Sequence, residues 1–310
     1  MIRLTFILIL LFLGCAYEPQ NGDTPEEEWD FENSLDIMTW NLNYYNVNDL
    51  DKKIWYLDSL IQFSNIDIIA IQEIESQNGP YFSTLINALN DSESQYIWEG
   101  YKPNGWNWLA YIINTSTVDV SELPYTILNS YGYEFAGRYP YVLKISVSNE
   151  DYYIINNHFK AYGDAESESR REKSSIYLKT YIDTYLSDEN VIVLGDLNDS
   201  LTDPEEENVF WNFLSDPDKY LFVDMEIAQG SPENWSYPAW GTAGSHPDHI
   251  LVTNELFDYV GEVQTILYDL DNDGDSDEDD WSIYEYYITD HRPVRVSIII
   301  CMNEDDVCSE

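Results

Sequence analysis

The sequence predicts an α/β fold in which buried strands alternate with helices. Eight short apolar runs, bounded by polar turns, have the composition of strands buried on both faces. Two segments between them carry apolar residues at helical spacing, which favours α/β layering. The strand runs cover residues 37–40, 66–71, 109–113, 141–147, 152–155, 191–194, 250–252 and 294–300. The helical positions are Leu50, Ile54, Leu57 and Ile61 in one segment and Leu178, Ile182 and Tyr185 in the other.

Length and composition indicate one large domain with a sizeable core. The chain has 310 residues, of which 44% are hydrophobic, and residues 35–300 show no internal repeat or linker. The net charge of -44 repels polyanions at long range and argues against nucleic-acid binding through a general basic face. It suits high salt or divalent cations, which screen self-repulsion.

The first residues predict export. Arg3 precedes an apolar run that is too short to span a bilayer and fits the core of a signal peptide. The letters FLGC resemble a bacterial lipobox, which implies a signal peptide over residues 1–15 ending at a lipidated Cys15. Cleavage after Ala16 is the alternative. Residues 16–34 then form an acidic tether, and the protein is periplasmic, at the cell surface or secreted.

The two remaining cysteines lie near the C-terminus, in the tail formed by residues 301–310. In an exported protein, Cys301 and Cys308 are predicted to form a small disulfide loop, and two free thiols are the alternative.

Polar clusters follow or precede six of the predicted strands. They read TWNLN, IQEIE, NNHFKA, GDLND, PDHILV and TDHRPV, at positions where α/β proteins gather ligands. Each cluster alone is more often a turn. However, all four histidines of the chain, His158, His246, His249 and His291, lie in or beside these clusters. Carboxylates, amides and imidazoles together are what metal-assisted phosphoester hydrolysis requires.

This ordered set of six motifs resembles the endonuclease/exonuclease/phosphatase superfamily, over residues 35–300. The resemblance implies a deoxyribonuclease I-like fold, a four-layer α/β sandwich with two packed mixed β-sheets flanked by helices. It also implies a catalytic Mg²⁺ or Mn²⁺.

The resemblance also implies a role for each motif residue. Glu73 becomes the principal metal ligand, with Asn41 and Asp290 beside it. His291 becomes the general base held by Asp248, and His158 the general acid or a transition-state donor. Asp196 and Asn198 position water and phosphate. Arg138, His249 and Lys160 become candidate contacts of the substrate phosphate, although packing is the alternative for His249.

Two features depart from the family pattern. The sequence shows no carboxylate partner for His158, and Asn43 stands where some relatives have an aspartate that acts as a second metal ligand. The second feature argues against a two-metal site.

The distribution of basic residues favours a nuclease. Seven of the 14 lysines and arginines fall within 138–179 and bracket His158, so a basic strip there is able to hold a phosphate backbone. The alternative is that these basic residues only form local ion pairs on a helix, without a role in substrate binding. The alternative function is hydrolysis of a phospholipid head group, as in sphingomyelinases, or of an inositol phosphate. A non-catalytic surface binding protein is the third reading, and we expect a monomer in each case.

An aspartate-rich segment at 269–280 has the spacing of a calcium loop. Counted from the first aspartate, carboxylates fall at positions 1, 3, 5, 9 and 12 with Gly274 at 6, as in EF-hand loops. The predicted structural Ca²⁺ ligands are Asp269, Asp271, Asp273, Asp277 and Asp280. A solvated acidic loop is the alternative.

Overall fold

Two six-stranded mixed β-sheets pack face to face at the centre of the protein. The computed structural model describes residues 34–43, 50–74, 81–91, 94, 96–104, 108–238, 244–268, 270 and 278–300. All of them belong to one compact unit. None of the helices within these ranges is long and apolar enough to cross a membrane.

Strands and helices alternate along much of the chain, with a run of five consecutive strands between the second and third α-helices. The strands are β1 Ser34–Asn41, β2 Ile68–Gln72, β3 Trp98–Tyr101, β4 Leu109–Asn114, β5 Asp119–Thr126, β6 Tyr141–Val147, β7 Glu150–His158, β8 Asn190–Asp196, β9 Tyr220–Phe222, β10 Asp248–Thr253, β11 Val260–Thr265 and β12 Val294–Ile299. The helices are α1 Leu50–Phe63, α2 Tyr81–Leu89, α3 Ala165–Tyr185, α4 Trp211–Leu214, α5 Met225–Ala228 and α6 Glu278–Tyr287, with 3-10 turns at Pro232–Asn234 and Asn254–Tyr259.

Each sheet contains one parallel pair near its centre. The first sheet has the order β11-β12-β1-β2-β4-β3, and the second has the order β5-β6-β7-β8-β10-β9. β1 and β2 run parallel, as do β7 and β8. The carboxyl ends of these four strands therefore lie at matching edges of their sheets, where polar residues of both sheets are able to meet.

Three apolar clusters divide the molecule into four layers. The inward faces of both sheets form the central cluster, which includes Ile37, Ile154 and Leu194. A second cluster joins the outer face of the first sheet to α1, α2 and α6. A third joins the outer face of the second sheet to α3 and α4. The predicted four-layer α/β sandwich is confirmed.

Polar side chains also cross the interface between the sheets. Gln72 of the first sheet donates Nε2 to Asn156 Oδ1 of the second at 2.8 Å. Asn156 in turn donates its amide to the carbonyls of Ile71 and Ala110, each at 3.0 Å. These buried groups satisfy one another, so they fix how the two sheets sit face to face.

All eight predicted strands and both predicted helices are confirmed. The prediction left out β3, β5, β9 and β11, together with α2 and α4 to α6. The signal peptide, the tether, the Cys301–Cys308 pair and four of the predicted calcium ligands, Asp269, Asp271, Asp273 and Asp277, lie outside the described residues.

Candidate active site

The residues predicted for the active site lie side by side. They come from the ends of β1, β2, β7 and β8 and from the start of β10. His158 pairs in register with Asp196 across the parallel strands β7 and β8. Asp196 pairs with Asp248 across the antiparallel strands β8 and β10. Asn41 closes β1, and Glu73 follows β2 directly. The fold therefore gathers into one cleft residues that lie up to 250 positions apart in the sequence.

Unusual backbone conformations aim two of these side chains. Glu73 and Asn198 have φ of 55° and 56°, in the left-handed region that side chains rarely adopt. Such strain is found at functional sites, where the surrounding structure enforces it. Gly195 has φ of 140°, and a Cβ there would lie 2.0 Å from the Asn157 carbonyl oxygen. The glycine of the GDLND motif is thus needed for β8 to approach β7.

Glu73, His158 and Asp196 form a cluster with the chemistry of a divalent metal site. One ligand atom from each lies within 4.8 Å of the other two. Asn41 donates Nδ2 to Asp196 Oδ2 at 2.9 Å and lies 3.4 Å from Glu73 Oε1. Carboxylate oxygens are the ligands that Mg²⁺ and Mn²⁺ prefer, so Glu73 and Asp196 fit such an ion. Asn41 would have to turn its amide to present oxygen.

Asp290 lies at the edge of this cluster. It accepts a hydrogen bond from Asn43 Nδ2 at 2.7 Å. Lys53 of α1 is buried behind this cluster, and its Nζ donates to the Leu42 carbonyl at 2.5 Å. Burial lowers the pKa of Lys53 to about 8, although the charges of Asp290 and Glu73 favour the protonated amine. A buried cation therefore offsets part of the negative charge here, a role that the sequence did not indicate.

His291 is held by Asp248, as the family resemblance implies. Its Nδ1 donates to Asp248 Oδ2 at 2.7 Å. Burial disfavours the charged ring, but Asp248, Asp196 and Asp290 outweigh it and raise the pKa of His291 to about 10. Tyr284 fixes the backbone, because its hydroxyl donates to the His291 carbonyl at 2.9 Å. The Nε2 of His291 is left for a water molecule or a phosphate.

His158 is the neutral histidine of the site. Burial, together with the charges of Arg138, His291 and Lys160, lowers its pKa well below the ordinary value. Its Nε2 lies 3.6 Å from Glu73 Oε1 and 3.5 Å from Asp196 Oδ2. The sequence showed no carboxylate partner for His158, and the structure places Glu73 and Asp196 of the same site beside it. A neutral ring suits a hydrogen-bond donor to developing charge better than a general acid.

Asp196 lies between the two histidines. Burial and the charges of Asp248 and Glu73 raise its pKa to about 7, against the opposing effects of His291 and Asn41. Its Oδ1 accepts the backbone N–H of Asn198 at 3.1 Å.

Arg138 and Lys160 border His158. Arg138 donates Nε to the His158 carbonyl at 3.0 Å and Nη2 to the Phe159 carbonyl at 2.6 Å. Lys160 donates to the Ala161 carbonyl, and its Nζ lies 4.1 Å from the centre of the Tyr162 ring. Neither residue forms an ion pair with a described carboxylate, although the charges of Asp196 and Glu73 act on Arg138 and that of Asp164 acts on Lys160.

The structure places His249 away from the cleft, at 0% exposure. Its Nδ1 lies 2.6 Å from Asp224 Oδ2, and its Nε2 lies 2.9 Å from the Asp199 carbonyl. A contact with a substrate phosphate requires an accessible ring nitrogen, which this placement does not provide. We therefore correct the prediction for His249. Asp224, which also contacts His246 Nε2 at 3.1 Å, was not foreseen.

Asp280 is the one predicted calcium ligand whose side chain is described. It is buried within the first turn of α6 and accepts the backbone N–H of Leu270 at 2.6 Å. A helix therefore begins inside the predicted loop.

A cavity of about 450 Å³ opens beside His291. Its lining includes Asn198, Trp235, Tyr237, Ser245, His246 and His291. The rings of Tyr237 and His291 meet edge to face, with centroids 5.7 Å apart. The volume is within the range of small-ligand sites.

Strand-end carboxylates beside a neutral histidine, and a second histidine oriented by an aspartate, define a phosphoester hydrolase. The chain belongs to the Endonuclease/Exonuclease/phosphatase family, whose family model matches residues 38–291. No curated protein matches the sequence.

Solved structures of this fold are similar over nearly their whole length. D. rerio TDP2 complexed with a single-strand DNA product is 16% identical, with a TM-score of 0.60 over 85% of this chain and 98% of that one. A Bacteroides vulgatus endonuclease/exonuclease/phosphatase is 13% identical, with a TM-score of 0.61 over 86% and 99%. Bacteroides thetaiotaomicron mannosyl-6-phosphatase is 15% identical, with a TM-score of 0.57 over 86% and 100%. At these identities the likeness shows the fold.

Proposed function

We propose that the protein is an exported, metal-dependent nuclease. The observation that carries the hydrolytic part is the juxtaposition of the Glu73, His158 and Asp196 cluster with the His291–Asp248 pair. Glu73 and Asp196, with Asn41 and Asp290 beside them, would hold a Mg²⁺ or Mn²⁺ ion. When bound, that ion would polarise a phosphoryl oxygen and offset the surrounding carboxylates.

The side chains then divide the proton transfers. A cation bound among the carboxylates would oppose the effect by which they raise the pKa of His291. In its neutral form, with Nδ1 donating to Asp248, His291 would accept a proton from the attacking water on Nε2. As the ester P–O bond breaks, the leaving oxygen would take a proton from solvent. His158 donates a hydrogen bond from Nε2 to the phosphoryl group as negative charge develops. Asn198, whose backbone is fixed by Asp196, is placed to orient the water or phosphate.

A group of cations beside His158 supports a nucleic-acid substrate. Lys144, Arg171 and Lys179 pair with carboxylates, and of these pairs only Lys179–Asp183 is the local helical kind that the alternative expected. By contrast, Arg138, Lys160 and Arg170 form no ion pair with a described carboxylate. Burial, together with the charges of Arg170 and Arg138, lowers the pKa of Lys160. Three adjacent positive charges in a strongly acidic protein are suited to binding the phosphates on either side of the scissile bond.

The cavity beside His291 favours a second candidate, hydrolysis of a small phosphoester. A volume of about 450 Å³ matches a head group, an inositol or one nucleoside. The aromatic side chains of Trp235 and Tyr237 would cover the face of a sugar ring or a base.

The deciding experiment offers residues 17–310 a set of phosphoesters in parallel. We expect cleavage of plasmid or single-stranded DNA or of RNA with Mg²⁺ or Mn²⁺, and loss of cleavage with EDTA. The comparison substrates are sphingomyelin, inositol phosphates and a sugar phosphate.

A double substitution, Lys160→Ala with Arg170→Ala, separates the two candidates. It should raise KM for nucleic acid and leave kcat and KM for small phosphoesters unchanged, because a small phosphoester does not reach beyond the cavity. Lys144→Ala, which removes a paired lysine outside the cleft, is the matched control. Turnover of the small substrates with none of DNA or RNA would replace the nuclease proposal with the second candidate.

Export and the calcium loop remain proposals supported by sequence patterns alone. Lipidation at Cys15 is tested by mass spectrometry of the mature N-terminus, where an unmodified residue 17 would show ordinary cleavage. Calcium binding is tested by calorimetry, comparing the wild type with Asp271→Ala/Asp273→Ala. Equal heats would leave the loop without a calcium site.

A further inference from the structure

A chain of buried polar contacts runs behind the active site and joins three of its loops. It begins at Arg171, a helix α3 residue that is 4% exposed. Its Nη1 donates to the carbonyls of Lys160 and Tyr162 at 2.8 and 2.7 Å, in the segment that follows His158. Its Nε donates to Asp199 Oδ2 at 2.6 Å. Arg171 thus ties the segment after β7 to the segment after β8.

The same loop after β8 is tied to β10. The carbonyl of Asp199 can only accept, so the 2.9 Å contact with His249 Nε2 requires a proton on that nitrogen. His249 Nδ1 lies 2.6 Å from Asp224 Oδ2. Asp224 Oδ1 also accepts the Ile250 backbone N–H at 2.9 Å. The two flanking residues of β10, Asp248 and Ile250, are therefore fixed around a buried ionic pair.

The residues that these contacts immobilise are chain neighbours of the residues proposed to act on the phosphate. Lys160 and Tyr162 follow His158, Asp199 follows Asn198, and His249 follows Asp248, which holds His291. None of Arg171, His249 and Asp224 is accessible enough to reach a substrate.

Asp224, His246 and His249 also have the spacing of a metal site. The direction of the hydrogen bonds argues against one. The Ser236 backbone N–H donates to His246 Nδ1 at 3.1 Å, so that nitrogen presents a lone pair and Nε2 carries the proton. A metal-binding Nε2 would instead need the proton on Nδ1. Asp224 accepts from three donors, which suits an ionised carboxylate that has no need of a cation.

We propose that Arg171, His249 and Asp224, linked through Asp199, form a positioning network that sets the turnover rate of the phosphoester hydrolysis. Arg171, His249 and Asp224 do so without touching the substrate, whereas Asp199 lines the cavity beside His291. Small displacements of catalytic groups are costly, since a misplacement of about 1 Å lowers rates by about 100-fold. The proposal rests on the hydrolytic function proposed above, for whichever phosphoester the wild type accepts.

The test compares Arg171→Lys and His249→Asn with Arg295→Lys. Lysine keeps the charge of Arg171 but carries its donors on a single nitrogen, so it loses the separate bonds that Nε and Nη1 make. Asparagine replaces one ring donor of His249. Arg295 is the matched control, because it makes the same kind of bond, at 2.6 Å, to Asp36 away from the cleft. The measurements are kcat, KM and hydrogen–deuterium exchange in residues 159–162 and 198–200.

We expect kcat to fall about 10- to 100-fold in Arg171→Lys and His249→Asn, with KM within about threefold of wild type and faster exchange in both segments. Arg295→Lys should lower the melting temperature but change neither kcat nor exchange there. Unchanged kcat, or a loss of kcat without faster exchange, would overturn the proposal. If wild type turned over no phosphoester, the hydrolytic proposal would fail, and exchange alone would still decide whether the network holds the loops. If Arg171→Lys does not fold, His249→Asn carries the test.

Discussion

At the scale of single residues, the two site histidines differ because their neighbours differ. Three carboxylates face His291 and favour its charged form, whereas burial and nearby cations keep His158 neutral. Proteins separate acid and base roles through such differences in environment. In the proposed mechanism His158 is therefore the hydrogen-bond donor, and His291 becomes the proton acceptor once a bound cation offsets the carboxylates around it.

We predict that His158→Ala and His291→Ala each lower kcat by about 10²- to 10⁴-fold, the usual contribution of such groups. Steady-state assays with the best wild-type substrate measure the change, and circular dichroism checks that the fold is retained. Lys173→Ala, an exposed substitution on α3, is the control. Near-normal turnover in either histidine variant would contradict the proposed mechanism.

The sequence pointed to most of the residues that the structure gathers, because histidines and carboxylates at strand ends are rare as a set. Asp224 and Lys53 escaped notice, and Arg171 was counted only within the basic strip, for a physical reason. Each is buried by contacts with residues far away in the sequence, and burial of a charge has no local signature. His249 was misplaced because its motif position is in the strand, while its ring turns toward the core.

At the scale of elements, helix α3 supplies Arg171, where the network that holds the loops begins. Its N-cap is Asp164, whose carboxylate accepts the backbone N–H groups of Glu166 and Ser167, each at 3.1 Å, and the Ser167 hydroxyl at 2.7 Å. These bonds lower the pKa of Asp164. The ionised side chain therefore stabilises the helix start.

We predict that Asp164→Ala lowers the melting temperature by about 2–4 °C at pH 7. Because the folded-state pKa is lowered, the stabilisation is present above the ordinary pKa of about 3.9 and is lost as pH falls through the folded value. The difference from wild type should thus shrink at acidic pH. Thermal unfolding at several pH values measures it, with exposed Asp188→Ala as the control. A difference that stays constant down to pH 2 would contradict this assignment.

Elements that the sequence did not predict have weak local patterns. β9 has three residues, β5 contains Pro124 and is mostly exposed, and β11 contains Gly261 with a register shift in its pairing. Their strand conformation comes from partners distant in the sequence. The order of strands in each sheet depends on the same long-range pairings, so the resemblance rather than periodicity indicated the sandwich.

At the scale of the whole molecule, the net charge of -44 sets the conditions for stability. Like charges repel in the compact state, and salt screens that repulsion over about 10 Å at 0.1 M. We predict that NaCl from about 10 to 500 mM raises the melting temperature at pH 7. The gain should diminish as pH approaches the isoelectric point of 4.1, where little repulsion is left to screen. A melting temperature that is insensitive to salt at pH 7 would contradict the prediction.

The bond from Asn41 to Asp196 joins strands of different sheets. Just behind it, Gln72 and Asn156 join the same two sheets. Catalytic activity therefore requires that the two sheets are packed against each other, because neither sheet alone contains all the residues of the site. A folding intermediate in which only one sheet has formed would show no turnover in an activity assay. Recovery of turnover during refolding would mark the moment at which the two halves dock.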